Sequence, residues 1–281
     1  MRYRLLGIDI DGTLLGPDHQ LVDGVAEAIS GARAAGVVVV LATGRSYAEA
    51  IPIWRDLHLQ PPFDPLLLVG GSLVSEPDTG RTLYQKSIDL SLAGEFADAL
   101  GQAGYAAMAL VDRWRFGWDY LLCETGDVHE AEARWLTKTG AKVRRARSLA
   151  DVADMPPPLR VSAVLDPDKA GPLAESLAEQ FADKLNVHAI VAPNYEVTIV
   201  EAFAKGVDKL SALTYIGQAR RIPVAAMAAI GDDVNDVQML RGVGLGAAVP
   251  NAVGAALDVA DHIASDGVVQ FVRQLVDGRF D

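Results

Sequence analysis

The stretch Tyr3-Arg-Leu-Leu-Gly-Ile8-Asp9-Ile-Asp11-Gly12-Thr-Leu14-Leu15 decides how the rest of the chain is read. A short run of apolar character, Tyr3 to Ile8, ends abruptly on two carboxylates and a glycine. Apolar runs of this length without polar alternation are strands buried on both faces, the signature of a parallel sheet. In such a sheet ligands bind at the carboxyl ends of the strands, so the residues that follow each run carry the chemistry.

Working outward, the same pattern recurs in Val37 to Ala42, Leu66 to Val69, Met227 to Ile230 and Val243 to Val249. Helix-like stretches separate these runs: Leu21 to Ala35, Tyr47 to Leu57 and Val207 to Ala219. Alternation of this kind predicts an α/β fold with a doubly wound parallel sheet. The middle of the chain breaks the rhythm with helix-like segments at Leu90 to Ala103 and Lys169 to Leu185 among strands of antiparallel character. There Trp114, Phe116, Trp118 and Tyr120 recur at period two, which predicts a strand with its aromatic side chains on one face. We therefore expect a catalytic core formed by residues 1–82 and 203–281, with an α+β domain inserted at 83–202.

The chain has 281 residues, half of them hydrophobic, with 25 Lys and Arg against 37 Asp and Glu, a formal charge of −12. This composition describes a globular chain with ample core. The negative field opposes a nucleic-acid partner, and no apolar run approaches the roughly 18 residues of a membrane span. We expect a cytoplasmic enzyme. One cysteine, Cys123, excludes an internal disulfide framework. The histidines lack metal-ligand spacing, and the basic segment Arg134 to Arg147 reads as a solvated helix face and loop.

Asp9 and Asp11 follow the first run, Thr43-Gly44-Arg45 the second, and Gly231-Asp232-Asp233-Val-Asn235-Asp236 the run that begins at Met227. Carboxylates gathered at one sheet edge repel each other unless a hard cation such as Mg²⁺ sits among them. The chemistry that suits them is phosphoryl transfer. Asp9 is placed to attack phosphorus, Asp11 to exchange a proton with the leaving oxygen and the attacking water, and Thr43 to hold a phosphoryl oxygen. A lysine is needed to neutralise the transferring group. A calcium loop beginning at Asp9 is excluded by Leu14 and Gln20 at its glycine and bidentate-acid positions. Gly242-Val-Gly244-Leu-Gly246 lies at a strand start and reads as close packing, not a dinucleotide loop.

Asp9-x-Asp11-Gly-Thr-Leu14, the strand closing on Thr43-Gly44-Arg45, a downstream lysine and Gly231-Asp232-Asp233-x-Asn235-Asp236-x-x-Met239-Leu240 resemble the four motifs of the haloacid dehalogenase superfamily. The match is to its Cof-type sugar-phosphate phosphatase branch, which carries a large α+β cap between the second and third motifs. The resemblance implies a Mg²⁺-dependent phosphatase for a small phosphorylated metabolite. Sugar phosphates, pyridoxal phosphate and flavin-pathway phosphates are all open as substrates. It makes Asp9 the nucleophile and a metal ligand, and Asp11 the acid/base with its carbonyl on the metal. Asp232 becomes a further metal ligand, Thr43, Gly44 and Asn235 phosphoryl contacts, and Asp236 a support for the lysine or the metal. Gly206-Val-Asp208-Lys209-Leu210 selects Lys209 over Lys205 as that lysine, with Leu210 where the family has glycine. Gly70-Gly71-Ser72 likewise stands where the branch has Asn-Gly-Ala. Two rivals share parts of the pattern: a phosphomutase such as a phosphomannomutase, and a receiver-type phospho-Asp signalling module, whose domain is about half this length.

Overall fold

A computed structural model describes residues 2–192 and 196–281. The chain runs through β1 (Leu5–Asp9), α1 (Val25–Ala34), β2 (Val38–Ala42), α2 (Tyr47–Asp56), β3 (Leu66–Leu68), β4 (Leu73–Ser75) and β5 (Thr82–Gln85). It continues with α3 (Leu90–Gln102), β6 (Ala107–Leu110), α4 (Arg113–Phe116), β7 (Tyr120–Cys123), α5 (Glu130–Lys138), β8 (Val143–Ala146) and β9 (Arg160–Leu165). Then come α6 (Pro167–Gln180), β10 (Leu185–Ala192), β11 (Val197–Ala204), α7 (Lys209–Ala219), β12 (Met227–Gly231), α8 (Val237–Gly242), β13 (Leu245–Ala248), α9 (Gly254–Leu257), β14 (His262–Ile263) and α10 (Gly267–Val276). No helix among the described residues is long and apolar enough to cross a membrane.

Two compact units emerge, one of Met1–Leu83 with Asp208–Asp281 and the other of Tyr84–Val207. The first holds an eight-stranded sheet in the order β14-β13-β12-β1-β2-β3-β4-β5. Its strands are parallel from β14 through β3, and β4 turns back antiparallel on β3. Every residue of β1 and β12 is buried, as strands covered by helices on both faces must be. Register aligns Ile8 with both Leu41 and Ile230, so the carboxyl ends of β12, β1 and β2 lie side by side. The expected α/β architecture is what the sheet shows.

The second unit is a six-stranded sheet in the order β10-β11-β9-β6-β7-β8. Its pairings are antiparallel except β7 with β8, which run parallel because α5 carries the chain back between them. Phe96 of α3 meets Phe181, just past α6, with ring centroids 5.3 Å apart. The period-two strand expected over Trp114 to Tyr120 does not form. Asp112 caps Trp114 N–H at 2.9 Å and starts the single turn of α4, which Gly117 ends at φ 78°. Trp114 and Phe116 are exposed on that turn, while Trp118 and Tyr120 are buried. Capping chemistry and a glycine stop outweighed the alternation of aromatic residues. The glycines of 242–246 do mark close packing: a Cβ on Gly244 or Gly246 would collide with the carbonyl of Ala225 or Leu240.

Candidate active site

Asp9 is the last residue of β1, Thr43 follows β2 and Asp232 follows β12, so adjacent strand ends deliver all three. Lys209 opens α7, whose start is fixed by Asp208 accepting from Ser211 N–H at 2.6 Å. Its side chain runs fully buried to the strand ends. There Nζ donates to Asp9 Oδ1 at 2.6 Å, Asp236 Oδ1 at 2.7 Å and Asn235 Oδ1 at 3.0 Å. Those three acceptors match the three hydrogens of an ammonium. Lys205, by contrast, donates to the Ala182 carbonyl at 2.6 Å.

Asp236 is fully buried and uses both oxygens. Oδ1 takes Lys209, and Oδ2 accepts the N–H groups of Asp232 and Asp233 at 3.1 and 3.2 Å. One carboxylate thus holds the lysine and folds the 231–236 loop around itself. Glycine is required at position 231 because a Cβ there would meet the Asp236 carboxyl. Asp232 is steadied by Thr13 Oγ1, 3.1 Å from its Oδ1, and by Val253 N–H on its carbonyl at 2.8 Å. Gly12 at φ 78° turns the chain beneath it, where a Cβ would strike Asp232 Oδ2. Thr43 is buried, and its Oγ1 accepts from Arg45 N–H at 3.1 Å. A Cβ on Gly44 would lie 3.9 Å from Asn235 Nδ2, which puts Gly44 and Asn235 at the same mouth.

Asp9, Asp232 and Asp236 each offer a carboxylate oxygen within 4.8 Å of the others. Burial pushes Asp9 well above the usual carboxylate range; the Lys209 charge opposes this and the charges of Asp236 and Asp232 reinforce it. Burial, then the Asp236 charge, lifts Asp232 to about 6. For Lys209 burial works against the charge, yet Asp236 and Asp9 outweigh it and hold the ammonium above its ordinary value. Three carboxylates therefore share one cation. The shortfall of positive charge and the all-oxygen donor set fit a hard divalent cation. Since Asp236 is spent on Lys209 and the loop, Asp9 and Asp232 are the side chains that would hold it.

The Asp11 side chain stands apart from this cage. It is gripped by Arg45, with Nε donating to Oδ2 at 2.9 Å and Nη2 to Oδ1 at 2.5 Å. Arg45 carried no assigned role in the sequence; only the adjacency of β1 and β2 brings it to Asp11. The turn Val69–Gly71 is a second element that the strand pattern passes over. Gly70 N–H donates to the Thr43 carbonyl and Val69 N–H to the Arg45 carbonyl, each at 3.0 Å. Gly71, at φ 108°, lies so close to the Asp208 carbonyl that no Cβ fits. This turn ties the Thr43–Arg45 segment to the start of α7. Leu210, the departure beside Lys209, packs over Gly242, where a Cβ would collide with it.

Elsewhere three residues of the basic segment form ion pairs: Arg134 with Glu130, Arg144 with Asp154 and Arg145 with Glu124. Cys123 is buried, and burial pushes its thiol up to about 12, far from the range of a nucleophile.

Known proteins match this chain over nearly its full length. It is 27% identical to a phosphoglycolate phosphatase from Natronomonas pharaonis, covering 98% of both chains. It is 24% identical to a pyridoxal phosphate phosphatase from Escherichia coli, again with 98% of each covered. Among solved structures, a haloacid dehalogenase-like hydrolase from Bacteroides thetaiotaomicron superposes with a TM-score of 0.76 at 20% identity, covering 97% of this chain and 99% of that one. That likeness shows the fold. The family model for haloacid dehalogenase-like hydrolases matches residues 6–272, and the chain belongs to that family.

Proposed function

We propose that the chain is a Mg²⁺-dependent phosphatase that hydrolyses a small phosphorylated metabolite through a phosphoryl group carried on Asp9. The observation that carries this reading is Lys209, buried and bonded at once to Asp9, Asn235 and Asp236 beside Asp232. An ammonium held 2.6 Å from the carboxylate nucleophile in a buried site is placed to offset the charge of a phosphoryl group carried on that carboxylate. The relatives named above as phosphatases of phosphoglycolate and pyridoxal phosphate support the substrate class.

In this reading Asp9 attacks phosphorus, forming an oxygen–phosphorus bond as the bond to the leaving oxygen breaks. Asp11 gives that oxygen its proton. Thr43, Gly44 and Asn235 hold the phosphoryl oxygens, and Lys209 offsets their charge. Asp11 then takes a proton from water as the water attacks phosphorus, and release of phosphate restores Asp9. Mg²⁺, held by Asp9, Asp232 and the Asp11 carbonyl, would supply further positive charge toward the phosphoryl oxygens. The inserted unit, Tyr84–Val207, is assigned the choice of leaving group.

Asp9→Asn tests the mechanism. With Mg²⁺ and a panel of phosphorylated metabolites, the parent should release phosphate from a subset of them. The variant should release none while melting close to the parent temperature. Hydrolysis by the variant at a rate near the parent's would refute a phosphoryl-Asp9 route.

A further inference from the structure

Arg45 grips Asp11 across the gap between the ends of β2 and β1, and two parallel bonds fix the plane of a carboxylate as well as its distance. Both side chains are partly exposed, 30% for Arg45 and 50% for Asp11, where a single-point ion pair would hold little. The root of the arginine is equally constrained. Its N–H is bonded to Thr43 Oγ1 and its carbonyl to Val69 N–H. Val69 sits at φ 52°, a region a β-branched residue occupies only when its surroundings hold it there. The next residue, Ser46, caps α2, and its N–H and Oγ both engage the neighbouring Glu49 carboxylate. The fork of Arg45 is thereby directed to Asp11, while Lys209 is already committed to Asp9, Asn235 and Asp236.

We propose that Arg45 is a positioning residue for Asp11, holding its carboxyl outside the Lys209 cage in the orientation from which it delivers a proton to the leaving oxygen. The inference rests on the assignment of Asp11 as acid/base given above.

The test is a double-mutant cycle read as kcat/KM, which reports the steps up to loss of the leaving group. Two substrates are compared with Mg²⁺ present: an alkyl phosphate, whose leaving oxygen needs a proton, and acetyl phosphate, whose leaving carboxylate does not. Arg45→Met should lower kcat/KM for the alkyl phosphate on the order of tenfold and for acetyl phosphate by less than about threefold. Arg45→Lys keeps the charge without the fork and should follow the same pattern. Asp11→Asn should lose more on the alkyl phosphate, and adding Arg45→Met to it should cost nothing further. If Arg45→Met weakens both substrates alike, or multiplies the Asp11→Asn loss, it acts on the phosphate or the fold and the proposal is overturned. If Asp11→Asn itself shows no preference between the two substrates, the acid/base assignment falls first. If Asp11→Asn discriminates and Arg45→Met does not, the fork alone is refuted.

Discussion

The Asp232 carboxyl, lifted to about 6 by burial and by the Asp236 charge, makes the site respond to pH alongside the raised carboxyl of Asp9. In the metal-free chain the protonated form is the one the fold favours. Its contribution to stability is present below about pH 4 and is lost as pH rises through about 6. A cation bound beside Asp9 reverses the preference, because it needs the carboxylate and protons compete with it. Below the Asp232 pKa, apparent Mg²⁺ affinity should fall on the order of tenfold per pH unit. The rise in melting temperature produced by MgCl₂ should accordingly be large near pH 7.5 and small near pH 5, and Asp232→Asn should abolish most of it. A Mg²⁺ shift of equal size at both pH values would show that Asp232 does not hold the ion.

At the scale of the element, α5 buries a carboxyl with one oxygen left without a hydrogen-bond partner among the described residues. Ala131 packs with Val164 and Val197, and Trp135 meets Tyr120 edge-on at 5.2 Å, so this face of the helix is docked. Glu132 lies beside them at 2% exposure, and its Oε1 has no hydrogen-bond partner among the described residues. Burial lifts its carboxyl to about 7, with Arg145 opposing. A carboxyl raised from 4.5 to about 7 contributes stability that is present below about 4.5 and disappears as pH passes 7, a swing of about 3 kcal/mol. In the absence of Mg²⁺ the parent should melt lower at pH 8 than at pH 5, with the raised carboxyls of Asp232 and Asp9 adding to the same trend. Glu132→Gln should reduce that difference; an unchanged slope in the variant would exonerate Glu132. This helix also marks where reading from sequence stops. The core strands were legible because residues covered on both faces leave no polar alternation, as in β1 and β12. Asp9, Thr43 and Asp232 were legible because they end such strands. The segment 130–147 showed only its basic residues, since a short helix docked on a sheet leaves a weak apolar stripe. Trp114 to Tyr120 misled because alternation alone does not register an Asp cap or a glycine stop. The Arg45 fork joins residues 34 positions apart, and only the order of the strands makes them neighbours.

For the whole molecule, the division of labour follows from which unit owns the chemistry. Asp9, Asp11, Thr43, Gly44, Arg45, Lys209, Asp232, Asn235 and Asp236 all belong to the unit made of Met1–Leu83 and Asp208–Asp281. The inserted unit supplies none of the cage. An excess of twelve negative charges is no obstacle to a phosphorylated substrate in such a molecule, because one buried ammonium and a divalent ion would set the local field. The two crossing points also lie near each other within the first unit: Tyr215 Oη, in α7, donates to the Leu83 carbonyl at 3.0 Å. Seven residues of helix separate Tyr215 from Asp208, about 10 Å at 1.5 Å per residue. The Tyr215 side chain and its hydrogen bond add a comparable distance to Leu83, so a linker of roughly eight residues, at about 3.3 Å each, spans the two crossing points. Replacing residues 84–207 with a Gly/Ser linker of this length should therefore leave a core that unfolds in one cooperative transition. With Mg²⁺ it should still hydrolyse acetyl phosphate, on the order of tenfold more slowly than the intact chain. Its preference among phosphorylated metabolites should collapse, because the choice of leaving group is proposed to lie with the inserted unit. A core that folds but ranks the metabolites as the intact chain does would move specificity back into the α/β unit, with Arg45 and the Val69–Gly71 turn the first places to look.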